Sequence, residues 1–201
     1  MKELLIIFYR NPVLGKVKTR LAATLGDEAA LAIYLRLVQH TREVTQALTC
    51  DKWVYYSDYV DTEDNWDNAG YAKHLQHQRA DLGERMRTAF ERAFHSGYQS
   101  VCIIGTDCWQ LTPSIVAEAF TQLKNHHAVL GPAHDGGYYL LGMTRFYGHV
   151  FENKKWSTET VASETLQDFE EAEITCALLP TLHDIDEAQD LAASHFPINQ
   201  R

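Results

Sequence analysis

The stretch Leu4-Leu5-Ile6-Ile7-Phe8-Tyr9-Arg10-Asn11-Pro12-Val13-Leu14-Gly15-Lys16-Val17-Lys18-Thr19-Arg20-Leu21 joins an apolar run to a basic, glycine-containing loop and then to helical periodicity. Leu4 to Phe8 read as a buried strand and the chain from Leu21 onward as helix. Gly15, Lys18 and Arg20 therefore fall where the carboxyl end of a strand meets a helix amino terminus. Such a junction suits anions, because a helix start offers unpaired N–H groups and the positive end of a dipole, and two long cations add charged donors for a phosphate. Taken alone, the loop also fits a solvated cationic turn, but three later segments place functional chemistry at strand ends as well.

Working outward, short β runs alternate with helical windows, the pattern of an α/β fold with a mostly parallel sheet. Ala30, Tyr34, Leu37, Val38, Thr41, Val44 and Leu48 share one face of a long helix. Trp53–Tyr56 read as a second strand, Val60–Gly70 as an acidic excursion, and Ala72–Gln78 as a third strand. Asp81 caps a helix whose inner face carries Met86, Ala89, Phe90 and Ala93. Ser100–Thr106 form a continuous apolar strand, of the kind buried on both faces, that ends on Asp107. Pro113 opens a helix with Ile115, Val116, Ala119, Phe120 and Leu123 inside, and Ala128–Leu130 begin another strand. A strand also runs through Leu141. Trp156 to Glu159 read as a helix start capped by Ser157 or Thr158, Ile174–Leu179 as a late strand, and Asp186–Ala193 as a final helix. No repeat or linker interrupts the 201 residues, so one domain is expected.

Composition excludes several classes. A formal net charge of −9 opposes non-specific binding to nucleic acid, and a basic loop in an acidic chain points to a small anion. No apolar run reaches 18 residues, and Met1-Lys2-Glu3 lead straight into a strand. A cytoplasmic protein without a membrane partner is expected. Cys50, Cys102, Cys108 and Cys176 lack zinc spacing and read as free thiols. His74, His77, His126 and His127 have polar neighbours and read as surface residues.

Asp107, emerging from an apolar strand, serves either as a metal ligand or as a cap of the following turn. Mg²⁺ takes one or two carboxylates plus phosphate oxygens, and Asp184 and Asp186 are the candidate partners, with Asp190 nearby. Asp186 serves equally as the cap of the last helix. Asp135-Gly136-Gly137 permits close approach of a ligand to backbone and is also a hairpin signal. Gln78 to Met86 place polar groups and Gly83 at a helix mouth, near a base or sugar, or form only a cap. The P-loop, the dinucleotide Gly-x-Gly-x-x-Gly fingerprint and the Gly-x-Ser-x-Gly elbow are all absent.

Pro12-x-x-Gly15-x-Val17-Lys18-Thr19-Arg20-Leu21-Ala22, Asp81-Leu82-Gly83-x-Arg85-Met86, Ile104-Gly105-Thr106-Asp107-Cys108, Gly131-Pro132-Ala133-x-Asp135-Gly136-Gly137-Tyr138-Tyr139 and Trp156-Ser157-Thr158 closely resemble one bacterial family. It is the DUF2064 group of the nucleotide-diphospho-sugar transferase superfamily, some of whose members are labelled glycosyltransferases linked to arsenosugar gene clusters. The resemblance runs from residue 4 to about residue 192. The Lys-Thr-Arg-Leu loop is also similar to that of 2-phospholactate guanylyltransferases and related molybdenum-cofactor nucleotidyltransferases. Trp109 stands where the family usually has proline, which puts the pocket beside the metal, and hence the acceptor, in question.

The resemblance implies a three-layer α/β/α sandwich of the glycosyltransferase-A type, with a mostly parallel mixed sheet. It implies a Mg²⁺- or Mn²⁺-dependent transferase whose partners are a nucleotide, as triphosphate or nucleotide sugar, and a small-molecule acceptor. Pro12, Gly15, Lys18 and Arg20, with Gln78, Asp81, Gly83 and Arg85, would bind the nucleotide. Asp135, Gly136, Gly137, Tyr138 and Trp156 would line the sugar or acceptor side. Asp107 and Asp186 would hold the metal, and Lys18, Arg20, Asp107 and Asp135 would carry catalysis. In a nucleotidyl version an acceptor phosphate attacks a triphosphate. In a glycosyl version a nucleoside diphosphate leaves. The basic loop leans the reading to nucleotidyl transfer, since a triphosphate has more charge to offset. Nucleotide binding without catalysis is the remaining alternative.

Overall fold

A computed structural model describes residues 1–67, 70–78 and 80–198. Asn68 and Ala69, within the acidic excursion, and Arg79, beside Gln78, lie outside the described residues. The elements are β1 (Glu3–Tyr9), α1 (Thr19–Leu25), α2 (Asp27–Gln46), β2 (Asp51–Tyr56), β3 (Ala72–Leu75), α3 (Leu82–His95) and β4 (Ser100–Ile104). They continue with α4 (Pro113–Gln122), β5 (Ala128–Pro132), β6 (Tyr138–Met143), a 3-10 turn at Gly148–Phe151, α5 (Val161–Glu171), β7 (Cys176–Leu178) and α6 (Ala188–Ala193).

The seven strands form one sheet in the order β3-β2-β1-β4-β6-β5-β7, parallel except for β6, which runs antiparallel to β4 and β5. The apolar runs explain its centre. In β1, Leu5 and Ile7 enter one core while Leu4 and Ile6 enter the other, and all four are 0% exposed. In β4, Cys102 and Ile104 face the first core and Val101 and Ile103 the second. Both faces must then be covered by helices. Val38 of α2 and Val116 and Phe120 of α4 cover one face, while Met86 and Phe90 of α3 and Phe169 of α5 cover the other. The expected three-layer sandwich is thus the observed one. Each fully buried Leu, Ile or Phe contributes on the order of 1.5–3 kcal/mol, which makes the two cores the main source of stability. A third cluster, with Leu21, Ile33, Leu37, Ile185, Leu191 and Phe196, ties α1, α2 and α6 together.

Several boundaries differ from the sequence reading. The helix from Leu21 is two helices, broken where Gly26 takes φ 85°, and Leu48 lies beyond the end of α2. β3 stops at Leu75, and beyond it the Gln76 side-chain amide donates to the carbonyl of Tyr55 at 3.0 Å. β4 stops at Ile104, and the late strand is only Cys176–Leu178. α5 begins at Val161, not near Trp156, and neither Ser157 nor Thr158 caps it. The N–H of Ala162 donates instead to the carbonyl of Gly136 at 2.9 Å, so the β5–β6 hairpin performs part of the capping. α6 is capped by Glu187 with Asp190, whose carboxylate accepts from the N–H groups of Asp186 and Glu187, and Asp186 itself is released from that duty. All four cysteines are free. No helix among the described residues is long and apolar enough to cross a membrane.

His74 is not a surface residue. Its ring lies 4.8 Å from that of Trp53 and 5.1 Å from that of Tyr55, and its Nε2 is buried with no hydrogen-bond partner among the described residues. Burial, aided by the charge of Arg92, pushes its pKa down to about 4. The folded protein therefore keeps this imidazole neutral while the unfolded chain binds a proton below about pH 6.5, so stability falls as pH drops from 6.5 toward 4. Urea unfolding at pH 7 and pH 4.5 should show wild type losing about 2 kcal/mol more than His74→Gln over that interval. Parallel losses in the two proteins would refute the assignment.

Candidate functional site

The strand order turns back between β1 and β4, where ligands gather beyond the carboxyl ends of open α/β sheets. Three segments converge there. The first is the loop after β1. Asn11 is buried and anchors it to the end of β2: its Oδ1 accepts from Asp58 N at 3.0 Å and its Nδ2 donates to Tyr59 O at 3.0 Å. The loop ends at Lys18, the residue before α1, whose backbone is left-handed (φ 48°, ψ 48°). The second segment is Thr106–Cys108, directly after β4. The third, residues 180–186, threads between β4 and the β5–β6 hairpin: Ile185 N donates to Asp107 O at 3.0 Å, and His134 N donates to Leu182 O at 3.0 Å. This threading, with a bridge between Cys108 and Asp184, sets Asp184 and Asp186 beside Asp107.

At the centre, Lys18 Nζ lies 2.7 Å from Asp107 Oδ1 and 2.9 Å from Asp186 Oδ1. The lysine side chain is 5% exposed, whereas the carboxylates are 42% and 48% exposed and open to the cleft. Burial alone would lower the lysine pKa, but Asp107 and Asp186 overcome that and hold it above its ordinary value. Burial likewise pulls Asp186 upward, and Lys18 outweighs it, leaving Asp186 below its ordinary value. Asp184 is pushed up to about 8, first by burial and then by Asp107, with Asp135 and Asp186 adding repulsion that Lys18 only partly offsets. Negative potential thus remains in excess here, and the donors are hard oxygens.

The cleft above this centre has a volume of about 610 Å³. Of the residues singled out in the sequence, Lys18, Arg20, Arg85, Asp107, Asp135, Gly137, Tyr138, Trp156 and Asp186 line it. Pro12, Gly15, Gln78, Asp81, Gly83 and Gly136 do not, and each has a local reason. Pro12 and Gly15 lie in the tight turns of the loop, with Lys16 N donating to Val13 O at 3.0 Å. Gln78 donates to the carbonyls of Ser57 and Gln76. Asp81 accepts from Glu84 N at 2.8 Å as the cap of α3. A Cβ on Gly83 would lie 2.2 Å from the Trp156 ring, so the absence of a side chain there makes room for Trp156. Trp109 also departs from expectation: it packs on His40 and Phe196, outside the cleft lining.

Sequence reasoning missed Arg10, Gln76 and Thr106 in the lining. Arg10 follows the first strand directly and so carried a weak signal, whereas Gln76 follows the half-polar strand Ala72–Leu75 and carried none. Gln76 is 6% exposed, and Arg85 Nη1 reaches its Oε1 at 3.4 Å. A second cleft of about 470 Å³ shares Arg20, Asp135, Asp184 and Asp186 with the first and adds Glu187 and Asp190. Its wall carries the rings of His134 and His183, stacked at 3.8 Å. Among the described residues no three His, Cys, Asp or Glu side chains are arranged to hold a metal ion, and Asp107 and Asp186 are joined instead through Lys18. Two carboxylates completed by phosphate oxygens nevertheless match the donor set that Mg²⁺ or Mn²⁺ takes.

Residues 40–158 match the model of a family described as an uncharacterized protein conserved in bacteria, DUF2064. No curated protein matches the chain. The structure resembles that of a candidate nucleotide-diphospho-sugar transferase from Desulfovibrio desulfuricans G20, with TM-score 0.87 and 31% identity, over 94% of this chain and 84% of that one. The fold is shared with the inositol-1-phosphate CTP transferase of T. maritima, at TM-score 0.59 and 14% identity over 97% and 94% of the two chains. It is shared as well with Rv0371C of Mycobacterium tuberculosis H37Rv, solved in complex with manganese, at TM-score 0.59 and 10% identity over 96% and 98%.

The hairpin Asp135-Gly136-Gly137 separates two roles. Gly136 has φ 86°, and a Cβ there would lie 1.9 Å from the backbone oxygen of Glu159, whereas at Gly137 the nearest atom is Asp135 Oδ1 at 3.2 Å. Gly136→Ala should lose roughly 2–4 kcal/mol through strain and a backbone clash. Gly137→Ala should stay within about 1 kcal/mol of wild type. Chemical denaturation of the two variants checks both, and equal stabilities would contradict the packing described.

Proposed function

The chain belongs to the DUF2064 family, and from that premise we propose that it is a divalent-metal-dependent transferase acting on a nucleotide substrate. The observation that carries this reading is the meeting of Asp107, Asp186 and Lys18 with Arg20 at the carboxyl ends of parallel strands, in a cleft large enough for a nucleotide. Asp107 and Asp186 would hold Mg²⁺ or Mn²⁺, which when bound supplies positive charge against the leaving phosphate. Arg10 and Arg20 flank the same opening and add charged donors to a diphosphate. The Gln76–Arg85 pair faces the far end of the cleft and suits a polar base or ribose edge.

Of the two transfers, glycosyl transfer fits the acceptor side better. The second cleft is lined by Asp135, Asp184, Asp186, Glu187 and Asp190, with Arg20 as the one cation among its described lining residues. With Asp184 mostly protonated at neutral pH, the four other carboxylates against one arginine favour a neutral hydroxyl compound over a phosphorylated acceptor. Asp135, whose Oδ1 accepts from Gly137 N at 2.9 Å, would take the hydroxyl proton as the acceptor oxygen attacks the sugar and the nucleoside diphosphate leaves. The Desulfovibrio protein, 31% identical, supports the same reading. Nucleotidyl transfer is the second reading, favoured by the three arginines Arg10, Arg20 and Arg85 around the first cleft, enough positive charge for a triphosphate.

Product analysis separates them. Incubated with panels of nucleotide sugars and nucleoside triphosphates in Mg²⁺, the protein should release nucleoside diphosphate and not pyrophosphate, and pyrophosphate release would select nucleotidyl transfer. Arg20→Ala should weaken nucleotide binding by roughly 1.5–3 kcal/mol, about tenfold to a hundredfold, in calorimetry. Asp107→Asn should fold and lose metal-dependent turnover, while metal-dependent turnover retained in that variant would remove Asp107 from the site.

A further inference from the structure

We propose that Lys18 is an interlock between metal and nucleotide: its ammonium occupies the place of a divalent cation between Asp107 and Asp186, and the cation enters only as Lys18 transfers to a phosphate. The proposal rests on the reading of Asp107 and Asp186 as cation ligands. Both carboxylates are open to the cleft, and the side chain that neutralises them is the buried one. The chain also gives up local comfort to put it there. Lys18 is a non-glycine residue in left-handed backbone, a conformation that costs energy unless surrounding contacts hold it, and no side chain caps the helix it precedes. Asp186, for its part, is free to bind Lys18 because Glu187 and Asp190 do the capping of α6.

Charge decides the rest. Two carboxylates and one ammonium sum to −1, so a divalent ion approaching the paired site meets half the charge it would meet without the lysine, and it also meets a cation already on its two oxygens. Ion and ammonium cannot both be seated on Asp107 and Asp186 without strong like-charge repulsion, so entry of one displaces the other. A displaced ammonium needs a new anionic partner. Lys18 and Arg20 line the same cleft, where a polyphosphate supplies that partner. Metal and nucleotide each then bind weakly alone and strengthen one another, reciprocally, as linkage requires. Metal would be held firmly only when there is a phosphate to act on.

Manganese alone is titrated into wild type, Lys18→Met, Lys18→Arg and Asp107→Asn, with free Mn²⁺ measured by electron paramagnetic resonance. Lys18→Met should bind Mn²⁺ at least about tenfold more tightly than wild type, Lys18→Arg should stay within about threefold, and Asp107→Asn should lose the site. Equal affinities in wild type and Lys18→Met, both abolished by Asp107→Asn, overturn the interlock and leave the cation site standing. No Mn²⁺ binding in either overturns the cation site and the interlock together. A second measurement needs no variant to fold: wild type is acetylated with an N-hydroxysuccinimide ester, with and without saturating Mn²⁺, and labelled lysines are mapped by mass spectrometry. Labelling of Lys18 should rise at least about fivefold with Mn²⁺, while exposed Lys16 stays constant as the reference. Unchanged labelling of Lys18 at saturating Mn²⁺ overturns the proposal.

Discussion

The ion pairs of Lys18 with Asp107 and Asp186 bind together three segments far apart in the chain, the loop after β1, the end of β4 and the approach to α6. Two carboxylates held this close repel one another, and burial, reinforced by Asp107, raises Asp184 beside them to a pKa of about 8, which keeps it mostly protonated at neutral pH. The buried ammonium makes the convergence tolerable. Removing one partner of such a group leaves uncompensated charge in a partly desolvated place, which is far more costly than losing a surface pair. The ion pairs therefore hold the three segments together, while the same carboxylates stay half-exposed toward the cleft.

A second coupling links the hairpin to the helix behind it. The carbonyl of Gly136 receives the N–H of Ala162, and the missing side chain of Gly136 lets residues 157–160 pack directly on the turn. That contact delays α5 until Val161 and leaves Trp156, Ser157 and Thr158 in irregular chain along the cleft. Trp156 in turn lies over Gly83 at the start of α3. The wall of the cleft is thus a chain of close approaches, in which two glycines matter for what they lack. Loss of either space would move the wall before it touched any ligand.

The two clefts meet at Arg20, Asp135, Asp184 and Asp186 and differ in the residues that each adds. The first adds Arg10, Lys18 and Arg85 together with Asp107 and Glu159, while the second adds Glu187 and Asp190 beside His134 and His183. The division comes from topology. Basic residues enter from the loop after β1 and from α3, and acidic residues enter from the hairpin and from residues 180–190.

Much of this was legible in the sequence. Runs such as Leu4–Ile7 and Val101–Ile104 fit strands buried on both faces of a helix-covered sheet, so the α/β class follows from local pattern, while the three-layer sandwich follows from the family resemblance. Asp107 at a strand end, and the glycine-containing basic loop, followed from the same reasoning. What local pattern does not carry is which distant segment faces which. Lys18 reads as a phosphate ligand and Asp186 as a metal ligand or helix cap until residues 180–186 are threaded beside β4, when the two meet as an ion pair. Likewise Gly83, Gly136 and Ser157 read as ligand contacts or caps, yet their roles are set by Trp156 and Glu159 arriving from elsewhere. His74 reads as polar surface until Trp53 and Tyr55 enclose it. The sequence alone determined the sheet and the ends at which chemistry gathers, because periodicity and charge act over a few residues. Only the tertiary structure decided the partners, because an ion pair or a close packing contact depends on two surfaces whose separation along the chain carries no signal.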